Sequence, residues 1–384
     1  GRTVGSGQGR TTLQGNATLR TAQLTGETGA DQTLDAGTTA LRIGGLAGAA
    51  APTASAALGA AWTVQAGAVE LDTTVELGSG RFTARAESGD VVLGDNARVD
   101  VAGRGIRFFD QTRGSDGGSV TLDSASGNVA LGAGARIDVS AGAGADAGAL
   151  TLNARQGSVT AVAGNLEGRT RADTAGDRGD GARAHVDAGT LANVSALNAA
   201  LQAGGFGGER GLRARSGDIE IAAGDTVQAQ RVTISADSGS IAVAGTVSAS
   251  GTEGGQIGLY AGQNVTLQAG ARVEAAASAA GGDGGRVEIG AVGGTLDLRS
   301  GAIIDVRSGT GGEAGHVQLR AQRDGNDVKV AALQSDVLGA GRVDLEAVRV
   351  YEGITTLNAS GASSGSTLTL ATVNTNDTAY AAQH

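Results

Sequence analysis

Short runs in which apolar and polar residues alternate recur along most of the chain. Typical runs are Val120-Thr-Leu122, Asn128-Val-Ala-Leu131 and Ala135-Arg-Ile-Asp-Val139, and each is bounded by Gly, Ser, Asn or Asp. Alternation over four to six residues is typical of β-strands that bury one face. The pattern therefore predicts an all-β chain built from many short strands.

Some of these runs repeat at a fixed distance. An apolar pair follows a small-residue turn in five segments: Gly117–Leu122, Gly148–Leu152, Gly254–Leu259, Gly284–Ile289 and Gly315–Leu319. The first apolar residue recurs after 30 residues three times, from Val120 to Leu150, from Ile257 to Val287 and from Val287 to Val317. A fixed period of this length indicates a repeat architecture, in which each unit holds about three strands and three turns.

The repeat favours a right-handed parallel β-helix, or β-solenoid, with rungs of about 30 residues. Antiparallel sandwiches vary their strand spacing, whereas here each block position keeps its residue character. Right-handed winding is the default for crossovers between parallel strands. At about 30 residues per rung and about 4.8 Å between paired strands, 384 residues form at most roughly 13 rungs and a rod about 60 Å long.

The presence or absence of the 30-residue repeat divides the chain into four predicted parts. One segment lacks the 30-residue unit and contains a helical pattern, so we expect a lateral insertion with a short helix there. The helical pattern is formed by Leu191, Val194, Leu197 and Leu201. The predicted parts are less regular rungs at 1–80, regular rungs at 81–163, the insertion at 164–211, and regular rungs at 212–384 that continue to the chain end.

Composition excludes several classes of protein. The 68 Gly and 72 Ala residues rule out a thick core, and a single proline rules out collagen. Eight aromatic residues are too few for a stacking surface along the chain. A net charge of -10 with one lysine disfavours nucleic-acid binding. The absence of cysteine excludes disulfides and fits a bacterial surface or secreted protein at least as well as a cytosolic one.

Candidate chemistry is sparse, and we expect neither catalysis nor a cofactor or metal. Arg178-Gly179-Asp180 is the tripeptide that integrins read, and it lies in the predicted insertion. It is therefore the candidate partner-binding site. Four carboxylates share one position of the repeat and predict a solvated outward row: Asp100, Asp138, Glu274 and Asp305.

The order of motifs resembles the filamentous haemagglutinin family of outer-membrane proteins. The matching runs are Gly117-Gly-Ser-Val-Thr-Leu, Gly134-Ala-Arg-Ile-Asp-Val-Ser, Ala199-Ala-Leu-Gln-Ala-Gly-Gly-Phe206, Leu212-Arg-Ala-Arg-Ser-Gly-Asp-Ile, Gly294-Thr-Leu-Asp-Leu and Val317-Gln-Leu-Arg-Ala. The resemblance implies a β-helical stalk that an outer-membrane transporter secretes by the two-partner route. It also implies a role in adhesion or surface filaments, with receptors or glycans on host or neighbouring cells as partners.

Two other functions remain open at this point. β-Helices also occur in polysaccharide-active enzymes and in the passengers of autotransporters. The leading interpretation is a non-enzymatic extracellular adhesin or filament segment. Neither Gly1 nor His384 adjoins a charged, proline-rich cap, so we expect copies to stack end to end or the chain to be a slice of a longer stalk.

Overall fold

The computed structural model describes residues 7–48, 55–160, 165–325 and 327–381. Within these ranges it contains 38 strands and two short helices. Nearly all strand pairs are parallel and join segments that are distant in sequence. The chain is thus mostly β, with long parallel sheets that are consistent with a solenoid-like fold, as the alternating runs predicted.

The first sheet contains 13 parallel strands, stacked in the order in which they occur along the chain. They are β1 (Gln8–Thr12), β4 (Asp31–Asp35), β6 (Ala61–Ala66), β9 (Arg81–Ala86), β14 (Ser119–Ser124), β17 (Ala149–Thr160), β19 (Arg183–Thr190), β20 (Glu209–Ala214), β23 (Arg231–Ala236), β26 (Gln256–Ala261), β29 (Arg286–Ala291), β32 (Gly315–Asp324) and β36 (Ala340–Val348). Each strand of this sheet begins one layer of the stack.

Shorter strands complete most layers and form a second and a third sheet, each in two blocks. The second sheet contains β2 (Ala17–Arg20), β5 (Ala40–Gly44), β7 (Ala68–Asp72), β10 (Val91–Leu93), β15 (Val129–Leu131) and the end of β17, and then β21 (Ile219–Ile221), β24 (Ile241–Val243), β27 (Val265–Leu267), β30 (Leu296–Leu298) and β34 (Val330–Leu333). The third contains β3 (Gln23–Leu24), β8 (Thr74–Glu76), β11 (Arg98–Asp100), β16 (Arg136–Asp138) and β18 (Asn165–Glu167), and then β22 (Thr226–Gln228), β25 (Thr246–Ser248), β28 (Arg272–Glu274), β31 (Ile303–Asp305) and β35 (Asp336–Leu338).

Alternation along each strand fills one continuous apolar core. Phe82, Val120 and Leu150 pair in register across three layers, and all three are buried. The buried side chains form a single cluster that extends from Leu24 to Ala321. Because every layer hydrogen-bonds to the next through its backbone, the sheet ladder and this narrow core stabilise the stack together.

The 30-residue period is confirmed where the sequence showed it. Val120 pairs with Leu150, and Ile257 pairs with Val287, which pairs with Val317. Elsewhere the layers differ in length, so a uniform rung of about 30 residues was wrong. Within the first sheet, the distance between paired residues ranges from 20 (Trp62 to Phe82) to 38 (Phe82 to Val120). The connections between strands differ in length, while the strand pairing is maintained.

The longest layer contains an antiparallel hairpin, formed by β12 (Gly105–Phe108) and β13 (Gln111–Gly114). Phe109 lies at its tip with a positive φ of 54° and 97% of its surface exposed. The hairpin is attached beside the sheets and not within them, since its two strands pair only with each other. It accounts for the extra residues of this layer.

The expected insertion at 164–211 belongs largely to the stack. β18 pairs with β16, and β19 pairs on both sides, with β17 and β20. The predicted helix is present as α1 (Val194–Gly204), with Asn193 as its N-cap and Gly205 in a left-handed conformation at its end. The helix follows β19 and takes the place of two strands in that layer, packing against β18, β21 and β22.

Regular layers end before the end of the chain. After β36 the chain forms a small parallel pair, β37 (Thr356–Asn358) and β38 (Thr367–Thr369), and the helix α2 (Leu370–Ala381). The expectation of regular rungs throughout 212–384 therefore does not hold after Val348. The segment between 349 and 366 is rich in Gly and Ser and lacks the alternating apolar residues that fill the core.

Glycines at the corners allow successive layers to approach closely. A Cβ on Gly148 would lie 1.8 Å from the carbonyl oxygen of Gly118 in the previous layer. No side chain fits there without moving the backbone. The glycine excess is thus explained in part by the spacing of the layers.

Candidate functional site

The outer face of the first sheet carries a ladder of charged residues from β19 onward. Neighbouring layers place opposite charges side by side. The ion pairs of this ladder are Arg231–Glu209, Arg213–Asp187, Arg213–Asp237, Arg215–Asp187, Arg286–Glu288, Arg320–Glu346 and Arg342–Asp344, and the His185 and His316 rings lie beside Glu209 and Asp344. Because most charges have a partner, the ladder presents a polar but locally neutral surface.

The carboxylates of this ladder are held in their charged form. Hydrogen bonds from Arg342 and His316 lower the pKa of Asp344, and a hydrogen bond from Arg320 lowers the pKa of Glu346. Glu346 is exposed and Asp344 is partly exposed, and ion pairs near the surface contribute little to stability. The ladder therefore determines the surface chemistry of the sheet more than its stability.

One aromatic side chain lies within the ladder. Tyr260 points outward from β26 and donates a hydrogen bond from its hydroxyl to the Glu288 Oε2, at 2.6 Å. Its ring occupies the space that a side chain at Gly258 would need, since a Cβ there would lie 2.6 Å from Cε2. A Cβ on Gly290 would lie 3.5 Å from its Cδ1. The ring thus lies across the backbone of two outward-facing glycines, both of which are buried.

The surroundings of Tyr260 hold its ring in one place. Partial burial and the hydrogen bond to Glu288 raise the pKa of the Tyr260 phenol to about 12, so the hydroxyl remains a donor at neutral pH. The same hydrogen bond lowers the pKa of Glu288. The side chain nevertheless stays 36% exposed. Tyr260 therefore presents a fixed and partly open aromatic surface.

A shallow groove of about 430 Å³ adjoins the ring at the edge where the strands of the first sheet end. Its apolar part includes Val292 and Val350, both exposed. Its polar part includes Asp237, Gln322 and Glu352. The groove thus combines apolar contact area with oxygen and amide groups that form hydrogen bonds.

The Arg178-Gly179-Asp180 tripeptide lies beside a different groove. Arg178 and Asp180 are exposed. The backbone is fixed, because the Asp180 N–H donates to the Asp146 Oδ1 at 2.7 Å and its carbonyl accepts from the Ala147 N–H at 2.9 Å. A Cβ on Gly179 would lie 2.3 Å from the backbone of the neighbouring layer. The tripeptide is therefore accessible but held against the stack and not at a projecting tip.

Asp180 contributes to a polar groove of about 330 Å³. The charged residues that line it are Asp146, Asp180, Arg183, Glu209 and Arg231. Acidic and basic groups alternate there, and its floor includes several glycines. The groove provides polar contacts around the tripeptide, but it lacks an aromatic surface.

The predicted carboxylate row is present as two separate rows. Asp100 pairs with Asp138, and Glu274 pairs with Asp305, in the two blocks of the third sheet. Glu76 and Glu167 extend the first row to four layers. Both residues were predictable members of the row, because they occupy the same position in the alternating pattern of their strands.

These side chains are not simply solvated. The Asp138 Oδ1 accepts the Ser140 N–H at 2.8 Å, and the Asp305 Oδ1 accepts the Arg307 N–H at 3.1 Å. Asp305 is buried, and the hydrogen bond from the Arg307 side chain lowers its pKa. The rows thus stabilise the corners that follow these strands.

The sequence patterns did not single out a buried arginine in β20. Arg210 is 1% exposed and occupies an inward position of β20, between Ala184 and Val232 of the adjacent layers. It donates hydrogen bonds of 2.8 Å to the carbonyl of Phe206, to the Asn198 Oδ1 and to the Gln202 Oε1. Burial lowers its pKa to about 10. Its contacts join α1 to the sheet.

Across the described ranges, no group of three or more His, Asp or Glu side chains is placed to hold a metal ion. His185 and His316 each face one carboxylate, and His384 lies outside the described residues. No helix in the described part of the chain is long and apolar enough to cross a membrane.

Comparison with known proteins gives no relative: no protein-family model, no curated protein and no solved structure matches the chain. The candidate site is therefore inferred from the residues and their geometry.

Proposed function

We propose that this chain is a non-enzymatic stalk segment of a bacterial surface adhesin, folded as a right-handed parallel β-helix. The observation that carries the proposal is the stack of 13 in-register parallel strands over one continuous core. Twelve steps of about 4.8 Å give a length of about 58 Å. A rigid rod of this kind suits a protein that displays a surface at a distance from a cell.

The proposal includes secretion by the two-partner route and exposure outside the cell. Its support is the resemblance of the motif order to the filamentous haemagglutinin family. Its proposed partners are receptors or glycans on other cells, and an outer-membrane transporter during export.

Adhesion is tested with beads that carry the purified chain. We expect the beads to adhere to epithelial or bacterial cells more than beads coated with albumin do. An Asp180→Glu variant tests the tripeptide, because it keeps the charge but lengthens the side chain. Adhesion equal to that of albumin beads would contradict the adhesin proposal, and equal adhesion of the variant would remove Arg178-Gly179-Asp180 from the site.

The rival function is a polysaccharide-active enzyme. The proposal expects no new reducing ends and no unsaturated products when the chain is incubated with plant and bacterial polysaccharides. Turnover that one carboxylate substitution abolishes would overturn it. The second rival, an autotransporter passenger, predicts a carboxy-terminal barrel in the complete gene product.

Self-association is part of the proposal, and its support lies at the last layer of the stack. Val343 and Leu345 of β36 are 51% and 42% exposed. Their partners in the preceding layer, Val317 and Leu319, are 0% and 5% exposed. Core-facing side chains therefore lie open at this end, beside the edge of β36 with which no other described strand pairs.

A second copy fits this end through its own first layer. If its β1 continued the ladder in register, Arg10 would lie beside Asp344, which gives opposite charges at the junction. We expect the sedimentation coefficient to increase with concentration and the increase to vanish in Leu345→Arg. A chain that sediments as a monomer at every concentration would contradict end-to-end stacking.

A further inference from the structure

We infer that Tyr260 and the adjoining groove form a binding subsite for a neutral hexopyranose unit of a glycan. The inference deepens the adhesin proposal by assigning a ligand class and a location. It stands on the geometry around β26 and β29, and it needs neither the tripeptide nor self-association.

The first argument is the orientation of the ring. The sequence places glycine at two outward positions, Gly258 and Gly290, where neighbouring layers carry Thr233, Glu288 and Arg320. Without side chains there, the Tyr260 ring lies against the backbone and leaves its other side to solvent. One side of a pyranose presents C–H groups, whose partial positive charge complements the electron-rich face of an aromatic ring.

The second argument is that the ring is held before any ligand arrives. Its hydroxyl is committed to Glu288, and the Arg286 Nε donates to the other carboxylate oxygen of Glu288 at 2.5 Å. A pre-organised contact surface loses little conformational entropy on binding. This arrangement differs from a tyrosine that moves freely on a surface.

The third argument decides the class of sugar. The charges beside the ring are already paired, as Arg286 with Glu288 and Arg320 with Glu346. On the groove side, Asp237 is bonded to Arg213, and Glu352 adds a further negative charge. Carboxylate oxygens accept hydrogen bonds from sugar hydroxyls, whereas they repel carboxylate or sulfate groups. The groove therefore favours a neutral glycan over a uronic or sulfated one.

The experiment titrates the purified chain with neutral tetrasaccharides of glucose, galactose and mannose in turn, by calorimetry. A heparin tetrasaccharide is the acidic comparison. We expect at least one neutral tetrasaccharide to bind, with saturation transfer from the protein to its ring C–H protons by NMR. We expect no measurable binding of the heparin fragment to this site.

Two pairs of variants separate the subsite from a general effect on folding. Tyr260→Ala is expected to weaken binding about tenfold, whereas Tyr260→Phe keeps the ring and retains most of the affinity. Gly258→Ala keeps the tyrosine but displaces its ring, so binding is expected to fall as in Tyr260→Ala. Gly207→Ala is the matched control, since it lies outside the groove and no atom lies within 4 Å of its Cβ position.

Three results would overturn the inference. They are no binding of any of the three neutral tetrasaccharides, equal affinity in the wild type and Tyr260→Ala, or binding of the heparin fragment alone. Failure here is distinguishable from failure of the adhesin proposal, because beads would still adhere to cells through another ligand. Thermal melting of every variant shows whether the stack is intact.

Discussion

Replacing Arg210 tests how the helix is joined to the stack. In Arg210→Ala, the Phe206 carbonyl and the Asn198 Oδ1 lose their buried donor. Each orphaned acceptor costs about 1–3 kcal/mol, so we expect the free energy of unfolding to fall by about 2–6 kcal/mol. The Gln202 Oε1 also loses its donor, but this side chain is exposed to water and adds little.

The matched control for this change lies three residues along the same strand. Arg213 points outward, is 46% exposed and forms a salt bridge with Asp237 at 2.7 Å. Removing one exposed ion pair costs about 0.2–1 kcal/mol. Urea unfolding followed by circular dichroism compares Arg210→Ala with Arg213→Ala at equal concentration. Equal losses in the two variants would refute the assignment of Arg210 to the interior, because the two arginines differ in the direction in which they point.

Three further predictions address the core, the corners and the carboxylates. Phe82→Ala should cost about 3–5 kcal/mol and lower the melting temperature, whereas Phe109→Ala should leave it unchanged, because Phe82 is fully buried and Phe109 is exposed. Gly148→Ala should prevent folding or lower the melting temperature strongly, and Gly207→Ala should be tolerated, since no atom lies within 4 Å of its Cβ position. Because the pKa of Asp305 is lowered in the folded state, the stability lost in Asp305→Asn should be fully evident above about pH 4 and should vanish as the pH falls through the lowered pKa. Equal losses of stability in the two variants of a pair would contradict the structure. For Asp305→Asn, a loss of stability that does not change with pH would contradict it.

The sequence predicted the strands well because their signal is local. Alternating runs such as 119–124 and 286–291 are strands in the structure, and residues 30 apart pair in register. The helix was predictable as well, because its apolar spacing and the glycines at its end are contained in one short segment.

Layer length was not predictable from the same signal. Strand pairing fixes which residues face the core, but it does not limit the connection between strands. The hairpin at 105–114 and the helix of 194–204 each change the length of a layer without disturbing the first sheet. A constant period therefore describes only the layers whose connections have equal length.

The candidate site depended on orientations that a single strand does not reveal. Inward and outward positions alternate along 209–214, and Arg210 occupies an inward position. Its burial was therefore predictable from its place in the alternating pattern. The position of the Tyr260 ring depends on Gly258 in its own strand and on Gly290 in the next layer. Only the register between layers brings these residues together.

The central claim is that the strands of the first sheet are parallel, in register and stacked in chain order. The absence of native cysteine allows spin labels at chosen pairs of outward positions. Between Thr63 and Thr233 there are six layer steps, and between Thr63 and Gln318 there are nine. At about 4.8 Å per step, double electron–electron resonance should give distances of about 29 and about 43 Å. Two distances that are equal, or a second distance shorter than the first, would contradict the stack.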